Sequence, residues 1–482
     1  MDILARDPAR TRYEALAASL RRAIENGTYR KGRRLPSVRE LKERHGVGTT
    51  TVLEALRLLE REGLVSARLR SGYVACAAAG APPPPRPIAA LQTRETQKNA
   101  LIAAILTSSR EPNVIPLGCA YPEPSFYPTH RLRLGMALLA RRTPDIIARR
   151  SHTPGTPGLR REIARHMQQW GGELSPEEII VTTGGRESLQ LGLMLACKPG
   201  DSVLVESPCY FGLLQLIELL RLRVVEVPAD PRDGIDVELV SKAIEKWPVR
   251  ACVITSVASN PSGGTLPAAV KARLAATLRR RNVLLIEDYV YGDLAFAGSP
   301  PPCALALDPM LDAIICGSFN KTLAPGLRVG WVASKSHSQD LVRLKSRMSD
   351  ASPLLIEQTI ADFLESGRYA RHLRALRAKL RENASRMVEL VQRSFPAGTQ
   401  IALPTGGYVS WVTLPRDVDA QQLYDRCYAR RITTAPGTIF CSDQRFDNAL
   451  RLNFGIRWTA RLEGAVRTVG RLAQEMIERS TP

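Results

Sequence analysis

Near the start of the chain, apolar residues recur at helical intervals. Leu16, Leu20 and Ile24 share one face of the segment Tyr13–Asn26, and Gly27 follows as a stop, so the spacing predicts a helix. Ser37 and Glu40 stand at capping-box spacing, which predicts a second helix from Val38 to about Gly46. In a third segment, opening around Thr49–Thr51, Val52, Ala55, Leu56 and Leu59 fall at i, i+3, i+4 and i+7 before Gly63. Leu64–Val74 then alternates loosely around Arg68, Arg70 and Gly72, as a two-stranded hairpin does. Short helices around a tight turn, followed by a basic hairpin, make a winged helix-turn-helix.

The pattern changes at Ala77–Pro87 (AAAGAPPPPRP), whose four consecutive prolines favour an extended, semi-rigid spacer. From about Asn113, short apolar strands (Ile179–Thr182, Ser202–Glu206, Ala251–Thr255, Val283–Glu287, Ala313–Cys316) alternate with helix-length segments. That alternation predicts an α/β domain with a mostly parallel sheet. A long helical stretch from Arg368 to about Phe395 leads into a mixed C-terminal portion. The expected division is a DNA-binding domain over 1–75, a linker over 76–112 and an α/β domain over 113–482, with a small subdomain from about 370.

Composition narrows the class. With 44% hydrophobic and 24% charged residues in 482, the chain has the balance of a soluble globular protein. No apolar run approaches a membrane span, and charges occupy Met1–Arg10 where a signal peptide needs an apolar stretch. The nine cysteines are scattered singly, without CxxC or Cys/His clusters, which predicts reduced thiols in a cytoplasmic protein without a metal site. The net charge of +20 points to a polyanionic partner. Residues 1–74 hold 16 Lys/Arg against 9 Asp/Glu, so positive charge is densest where the winged helix is predicted.

The N-terminal residues resemble the GntR-type DNA-binding domain over about 10–75. The resemblance rests on Gly32-x-Arg34-Leu35-Pro36-Ser37-x-Arg39, the Val52-x-x-Ala55-Leu56 helix and the Ser71-Gly72-Tyr73-Val74 end of the wing. It implies that Arg34, Ser37, Arg39 and the helix start at Thr49, Thr50 and Thr51 face phosphates and base edges, with Arg68 and Arg70 at the wing. Gly48-Thr49 and Leu53 stand where that family commonly has Ser-Arg and Arg.

In the α/β domain, Lys321 follows a strand in Gly317-Ser318-Phe319-Asn320-Lys321-Thr322-Leu323-Ala324-Pro325-Gly326-Leu327-Arg328. A lone lysine there is ordinarily a solvated surface group. A Schiff-base lysine also needs an anion site for its aldehyde cofactor and a carboxylate for the pyridine nitrogen. Ser318 and Arg328 can supply the first, and Asp288 the second. Over about 113–475 the chain resembles fold-type-I aminotransferases dependent on pyridoxal 5'-phosphate (PLP). The motifs occur in the family's order: Thr183-Gly184-Gly185-Arg186, Glu206-Ser207-Pro208-Cys209-Tyr210, Asn260-Pro261-Ser262-Gly263, Asp288-Tyr289-Val290-Tyr291, the Lys321 segment, and Arg451-Leu452-Asn453.

The resemblance implies that Gly185 and Arg186 cradle phosphate, Tyr210 stacks on the pyridine, Asn260 and Tyr291 bond its hydroxyl, and Asp288 meets its nitrogen. Arg451 is implied to grip an amino-acid carboxylate. Asn320 replaces the family's usual second serine.

The two domains in this order resemble the MocR subfamily of transcription regulators. That resemblance implies a homodimer that binds a double-stranded DNA operator, carries PLP as a Schiff base on Lys321, and senses PLP or an amine or amino-acid effector. The alternative is a catalytically active aminotransferase with an accessory DNA-binding domain.

Overall fold

The structure is a computed structural model; it describes residues 12–25, 28–29, 32–68, 72–76, 93–94, 99–108, 111, 113–297, 300–349 and 351–480. The N-terminal unit consists of α1 (Arg12–Glu25), α2 (Val38–His45), α3 (Thr49–Arg61) and an antiparallel wing of β1 (Val65–Arg68) and β2 (Gly72–Ala75). The expected capping box is present. Ser37 Oγ accepts from Glu40 N at 3.2 Å, and the Glu40 carboxylate accepts from Ser37 N at 2.7 Å. Gly46 ends α2 in the left-handed region at φ 62°, where a residue without Cβ fits best. Leu16, Leu20 and Ile24 pack on Val52, Ala55, Leu56 and Leu59, so the apolar stripes read from the sequence are this unit's core. Each such Leu, Ile or Val side chain contributes about 1.5–3 kcal/mol when fully buried.

The segment 76–112, expected as a linker, also carries two elements that pack on the large domain. The strand β3 (Thr93–Arg94) pairs antiparallel with β6 of the large sheet (below). Helix α4 (Asn99–Ser108) buries Ile102 and Ile105 against Phe211, Trp411, Ile439 and Phe440. The Ala77–Pro87 run lies outside the described residues.

The large domain is built on one twisted sheet. Its strands are β3, β4 (Ile179–Thr182), β5 (Ser202–Ser207), β6 (Arg223–Asp230), β7 (Val249–Thr255), β8 (Leu284–Asp288), β9 (Ala313–Ser318) and β10 (Gly330–Ala333). They are ordered β3-β6-β5-β7-β8-β9-β10-β4, and a short strand at Gly234–Ile235 adds to β6. Strands β6, β5, β7, β8 and β9 run parallel, whereas β10 is antiparallel to β9 and β4. Helices on both faces bury them, which is why these strands read as near-continuous apolar runs. Helix α5 (Thr129–Arg142) packs on the helix Leu354–Glu365, and α6 (Gly185–Ala196), one of the helices that cover the sheet, starts directly after β4.

The long helical stretch is α7 (Arg368–Ser394), which presents Leu373, Leu376, Leu380, Met387 and Val391 to the core. It lies beside α8 (Ala460–Ser480) and a four-stranded antiparallel sheet of β11 (Gln400–Ile401), β12 (Val409–Thr413), β13 (Ala435–Pro436) and β14 (Ala449–Asn453). Ile115–Pro116 pairs with Ile432–Thr433, so the chain visits this subdomain between β3 and β4 of the large sheet. Among the described residues, no helix is long and apolar enough to cross a membrane.

Candidate functional site

In a parallel sheet, ligands collect beyond the carboxyl ends of the strands. Here a cavity of about 560 Å³ empty volume opens there, lined by Tyr121, Gly185, Arg186, Tyr210, Thr255, Asn260, Asp288, Tyr291, Ser318, Asn320, Lys321 and Arg328. All nine residues expected to hold the cofactor are therefore brought to one place, from five separate strand ends. Arg451 lies one hydrogen bond behind it. Its guanidinium donates to Asn260 Oδ1 at 2.7 Å and to the Gly118 carbonyl at 2.5 Å.

Asp288 ends β8 in a buried position. Its carboxyl accepts from Val290 N–H at 3.2 Å, and its other oxygen has no protein donor among the described residues. Burial pushes its pKa up to about 7, against the opposing pull of Val290 N–H and Lys321. Glu206, at the end of β5, is also pushed up to about 7 by burial, although Thr255 N–H and Ser259 O–H both donate to it at 3.0 Å. It thereby holds the loop that carries Asn260. Asp288 lines the cavity, whereas Glu206 stands across β7 from it and serves the loop.

Lys321 sits in the turn after β9. Its Nζ donates to the Ala120 carbonyl at 3.2 Å and lies 3.8 Å from the centre of the Tyr121 ring. Burial works against its charged form, but the phenols of Tyr291, Tyr121 and Tyr210 outweigh this and leave its pKa raised. No sequence signal had singled out Tyr121. It precedes α5 in a segment without secondary-structure periodicity, and only the chain path places it over the lysine.

The opposite end of the cavity is an anion cradle. Gly184 caps α6 with φ 131°, a conformation nearly restricted to glycine, and its first-turn amides point into the site. A Cβ at Gly184 would lie 2.4 Å from Asn320 Nδ2, and one at Gly185 would lie 2.6 Å from Val290. Asn320 accepts from Val329 N–H at 3.1 Å through its Oδ1, so its amide nitrogen is the end facing the cradle. The residue that departs from the family's serine thus keeps a donor there. Arg328 adopts φ 53° and ψ 48°, a strained conformation for a residue with a Cβ. Glu187 braces the turn by accepting from Thr183 N–H at 2.6 Å and from buried Lys345 at 3.0 Å. Arg186 offers its backbone to the cradle, while its side chain reaches Gln215 at 3.3 Å.

Arg451 is 2% exposed, on β14, and its Nε has no partner among the described residues. Burial lowers its pKa, and no described carboxylate neutralises it. Its approach to Gly118 depends on close backbone packing, since a Cβ at that glycine would lie 2.3 Å from the Thr434 carbonyl. Asn260 commits its oxygen to Arg451, which leaves its Nδ2 for an acceptor in the cavity.

On the winged helix, Ser37, Arg39, Thr49 and Thr50 are exposed and Thr51 is half-buried at the starts of α2 and α3. Arg39 pairs with Glu43 at 3.1 Å, and Arg34 packs within 3.3 Å of the Cβ position of Gly72 in the wing. Arg68 lies opposite Gly72 in the wing's register, whereas Arg70 lies outside the described residues.

The two sites are joined by α7. Near its start, Tyr369 O–H donates to Asp293 at 2.5 Å and its oxygen accepts from Thr322 O–H at 2.9 Å, while Arg377 donates to the Asp293 carbonyl at 2.6 Å. Asp293 and Thr322 adjoin Tyr291 and Lys321 in the chain. Near its end, α7 holds the winged helix. Glu389 pairs with Arg44 at 2.7 Å, Gln392 donates to Thr28 at 2.7 Å, and Arg393 donates to His45 Nδ1 at 2.8 Å. Burial, with Arg393 and Arg44 beside it, pushes His45 down to about 4, so it is a neutral acceptor at pH 7. Nothing in the sequence had marked this contact.

Comparison with known proteins divides the chain as the structure does. Residues 140–467 match the aminotransferase class I and II family, and residues 12–74 match the gntR family of bacterial regulatory proteins. The HTH-type transcriptional regulators YdcR and YjiR of Escherichia coli (strain K12) are 36% and 32% identical. Each alignment covers 97% of this chain and 100% of the relative. The solved structure of LysN, an alpha-aminoadipate aminotransferase from Thermus thermophilus, superposes with a TM-score of 0.73 at 26% identity. That match covers 78% of this chain and 95% of LysN, whose structure is a complex with N-(5'-phosphopyridoxyl)-L-leucine.

Proposed function

Because this chain belongs to the gntR regulators of MocR type, with a class I and II aminotransferase domain behind the winged helix, we propose that it senses an amine or amino acid through PLP held on Lys321. It is a DNA-binding regulator, and the sensing is how its second domain serves that role. One observation carries the reading. Three cations, Lys321, Arg328 and Arg451, meet at one site, and none has a carboxylate partner among the described residues. Such a site is complementary to a ligand with several anionic groups.

PLP supplies an aldehyde that condenses with amines and a protonated pyridine ring that withdraws electrons from the adjoining carbon. The residues fit it. The Gly185 and Arg186 amides, Ser318, Asn320 Nδ2 and Arg328 would hold its phosphate. Asp288, with its free oxygen, would pair with the ring nitrogen, and that pairing offsets the burial that otherwise protonates the carboxyl. Asn260 Nδ2 and Tyr291 would bond the ring hydroxyl, and Tyr210 would flank the ring. Lys321 would bond the aldehyde carbon, and Arg451 would take an effector's carboxylate.

An effector that displaces Lys321 changes what Thr322 and Asp293 hold, and these grip the start of α7. Because the other end of α7 holds the winged helix, differential contacts at the cofactor site bias how the DNA-reading heads are presented. We place this regulator in the cytoplasm, as a homodimer. Leu134 and Leu138, 53% and 50% exposed on one face of α5, support a subunit contact, as does exposed Ile147.

Borohydride reduction followed by peptide mapping should find PLP on Lys321, and Lys321→Ala should abolish it. In DNase footprinting upstream of the protein's own gene, PLP should alter wild-type protection and leave Lys321→Ala protection unchanged. An unaltered PLP response in that variant overturns sensing through Lys321. The presence of both Lys321 and Arg451 favours a second reading as an active aminotransferase. Turnover of about 1 per second or faster with amino donors and a 2-oxo acid would establish it.

A further inference from the structure

Helix α7 is unusually basic. Its 27 residues carry Arg368, Arg371, Arg374, Arg377, Lys379, Arg381, Arg386 and Arg393 against only Glu382 and Glu389. Arg377 is turned inward to Asp293, but most of the others face out. Arg371, Arg374, Ala378, Arg381, Ser385 and Val388 follow one another at alternating spacings of three and four, which places them along one face. The C-terminal part of that face is the seat of the winged helix, where Ser385, Val388, Glu389 and Gln392 line a pocket with Leu20, Tyr29 and His45. The N-terminal part continues past the seat and is exposed.

An open groove runs between the two units at this junction, with Glu40 and Glu43 of α2 on one side and Ala378 and Arg381 on the other. The acidic residues of α2 do not neutralise α7. Glu40 caps Ser37, and Glu43 pairs with Arg39. Arg371 and Arg374 have no hydrogen bond or ion pair among the described residues, and Arg381 donates to the Phe296 carbonyl and lies over the Phe296 ring, with no carboxylate partner among the described residues. Arg131 of α5 adds a further positive charge beside His372. A row of guanidinium groups without carboxylate partners among the described residues, continuous with the seat of a DNA-binding head, has the right charge for a polyanion. From Arg371 to Arg381 the row spans roughly 15 Å at 1.5 Å per residue, about four phosphates of one strand.

We propose that the exposed face of α7 around Arg371, Arg374 and Arg381 is a second DNA-contact surface, which takes duplex phosphates flanking the site held by the winged helix of the same chain. This rests on the DNA-binding role of that head. Sequence readout is not expected from it, because the row offers charge without base-reading partners and lies outside the helix-turn-helix. Its contribution is affinity and the path of the flanking DNA.

The test uses full-length, PLP-loaded protein and random-sequence duplexes of 12 and 40 base pairs in fluorescence anisotropy. Arg371→Ala/Arg374→Ala should bind the 40-mer roughly ten-fold more weakly at low salt, with the slope of log K against log salt reduced by about 1.8. Binding of the 12-mer, about 40 Å long at 3.4 Å per base pair and filled by the winged helix alone, should change less than about two-fold. Arg250→Ala/Arg280→Ala removes the same charge from the large domain and should leave the difference between duplexes intact.

Equal losses on both duplexes, or no loss on either, overturn the proposal. So does a change in oligomeric mass in light scattering of the α7 variant, which would make this face a contact between copies. If the wild type binds neither duplex, the DNA-binding role itself fails, a result distinct from the others.

Discussion

The winged helix and the aminotransferase domain both concentrate positive charge, yet they hold it in opposite ways. On the winged helix, cations lie at the surface, and several are paired with carboxylates there. Arg39 and Glu43 are 87% and 63% exposed as a pair, Arg57–Glu54 is also exposed, and Arg21–Glu62 is half-buried. Exposed pairs of this kind are worth little and exchange partners readily, so a phosphate can replace a carboxylate. At the cofactor site, Arg451 is 2% exposed and has only neutral acceptors. A buried, fixed and uncompensated guanidinium is costly without its ligand and selective when the ligand arrives. One surface suits a repeating polyanion at any register, the other a single small anion in one pose.

The largest break in this contrast should come from Arg451→Gln. Loss of a bidentate, charge-assisted contact should weaken amino-acid binding to the PLP-loaded protein by about a hundred-fold, read as the concentration that shifts the cofactor's visible absorbance. PLP binding itself should change far less.

The next effect is a pH dependence. Burial raises the folded pKa of Asp288 to about 7, so between its unfolded value near 4 and about 7 the native apo protein binds more protons than the unfolded chain. Its stability should therefore fall as pH rises through that window, by on the order of a few kcal/mol shared with Glu206. Asp288→Asn should flatten the fall in the apo Tm, and PLP should reduce it in the wild type by supplying a cationic partner. A wild-type apo Tm that rises steadily from pH 5 to 7 contradicts this.

The smallest effect sharpens the other side. Arg39→Ala should lower non-specific DNA affinity only a few-fold, reduce the salt slope by about 0.9 and leave the cofactor spectrum untouched.

Much of this was legible along the chain. The stripe Val52, Ala55, Leu56, Leu59 and the Ser37–Glu40 box needed only local periodicity and cap chemistry, and both are present as read. The strand runs Ile179–Thr182 and Ala313–Cys316, each followed by a glycine-rich or lysine-bearing turn, located the cradle and Lys321 because the chemistry sits where strands end. Segments with weak local signals were missed. Thr93–Arg94 and Asn99–Ser108 were read as linker because the neighbouring proline run dominated their composition, whereas Ile102 and Ile105 find their partners more than a hundred residues away. Tyr121 and Gly118 gained roles only through contacts with Lys321 and Arg451, 200 and 333 residues distant.

The amino-acid sequence by itself determined the two modules, their order, their elements and the residue types that carry the chemistry. Periodicity, capping and motif spacing act over a few residues, and each leaves a local mark. Only the tertiary structure decided that α7 touches both sites, that His45 must accept from Arg393, and that Arg451 stands without an anion. These depend on which distant groups share a volume from which water is excluded. There, charge is strong and every unpaired group must be answered by the protein or by a ligand.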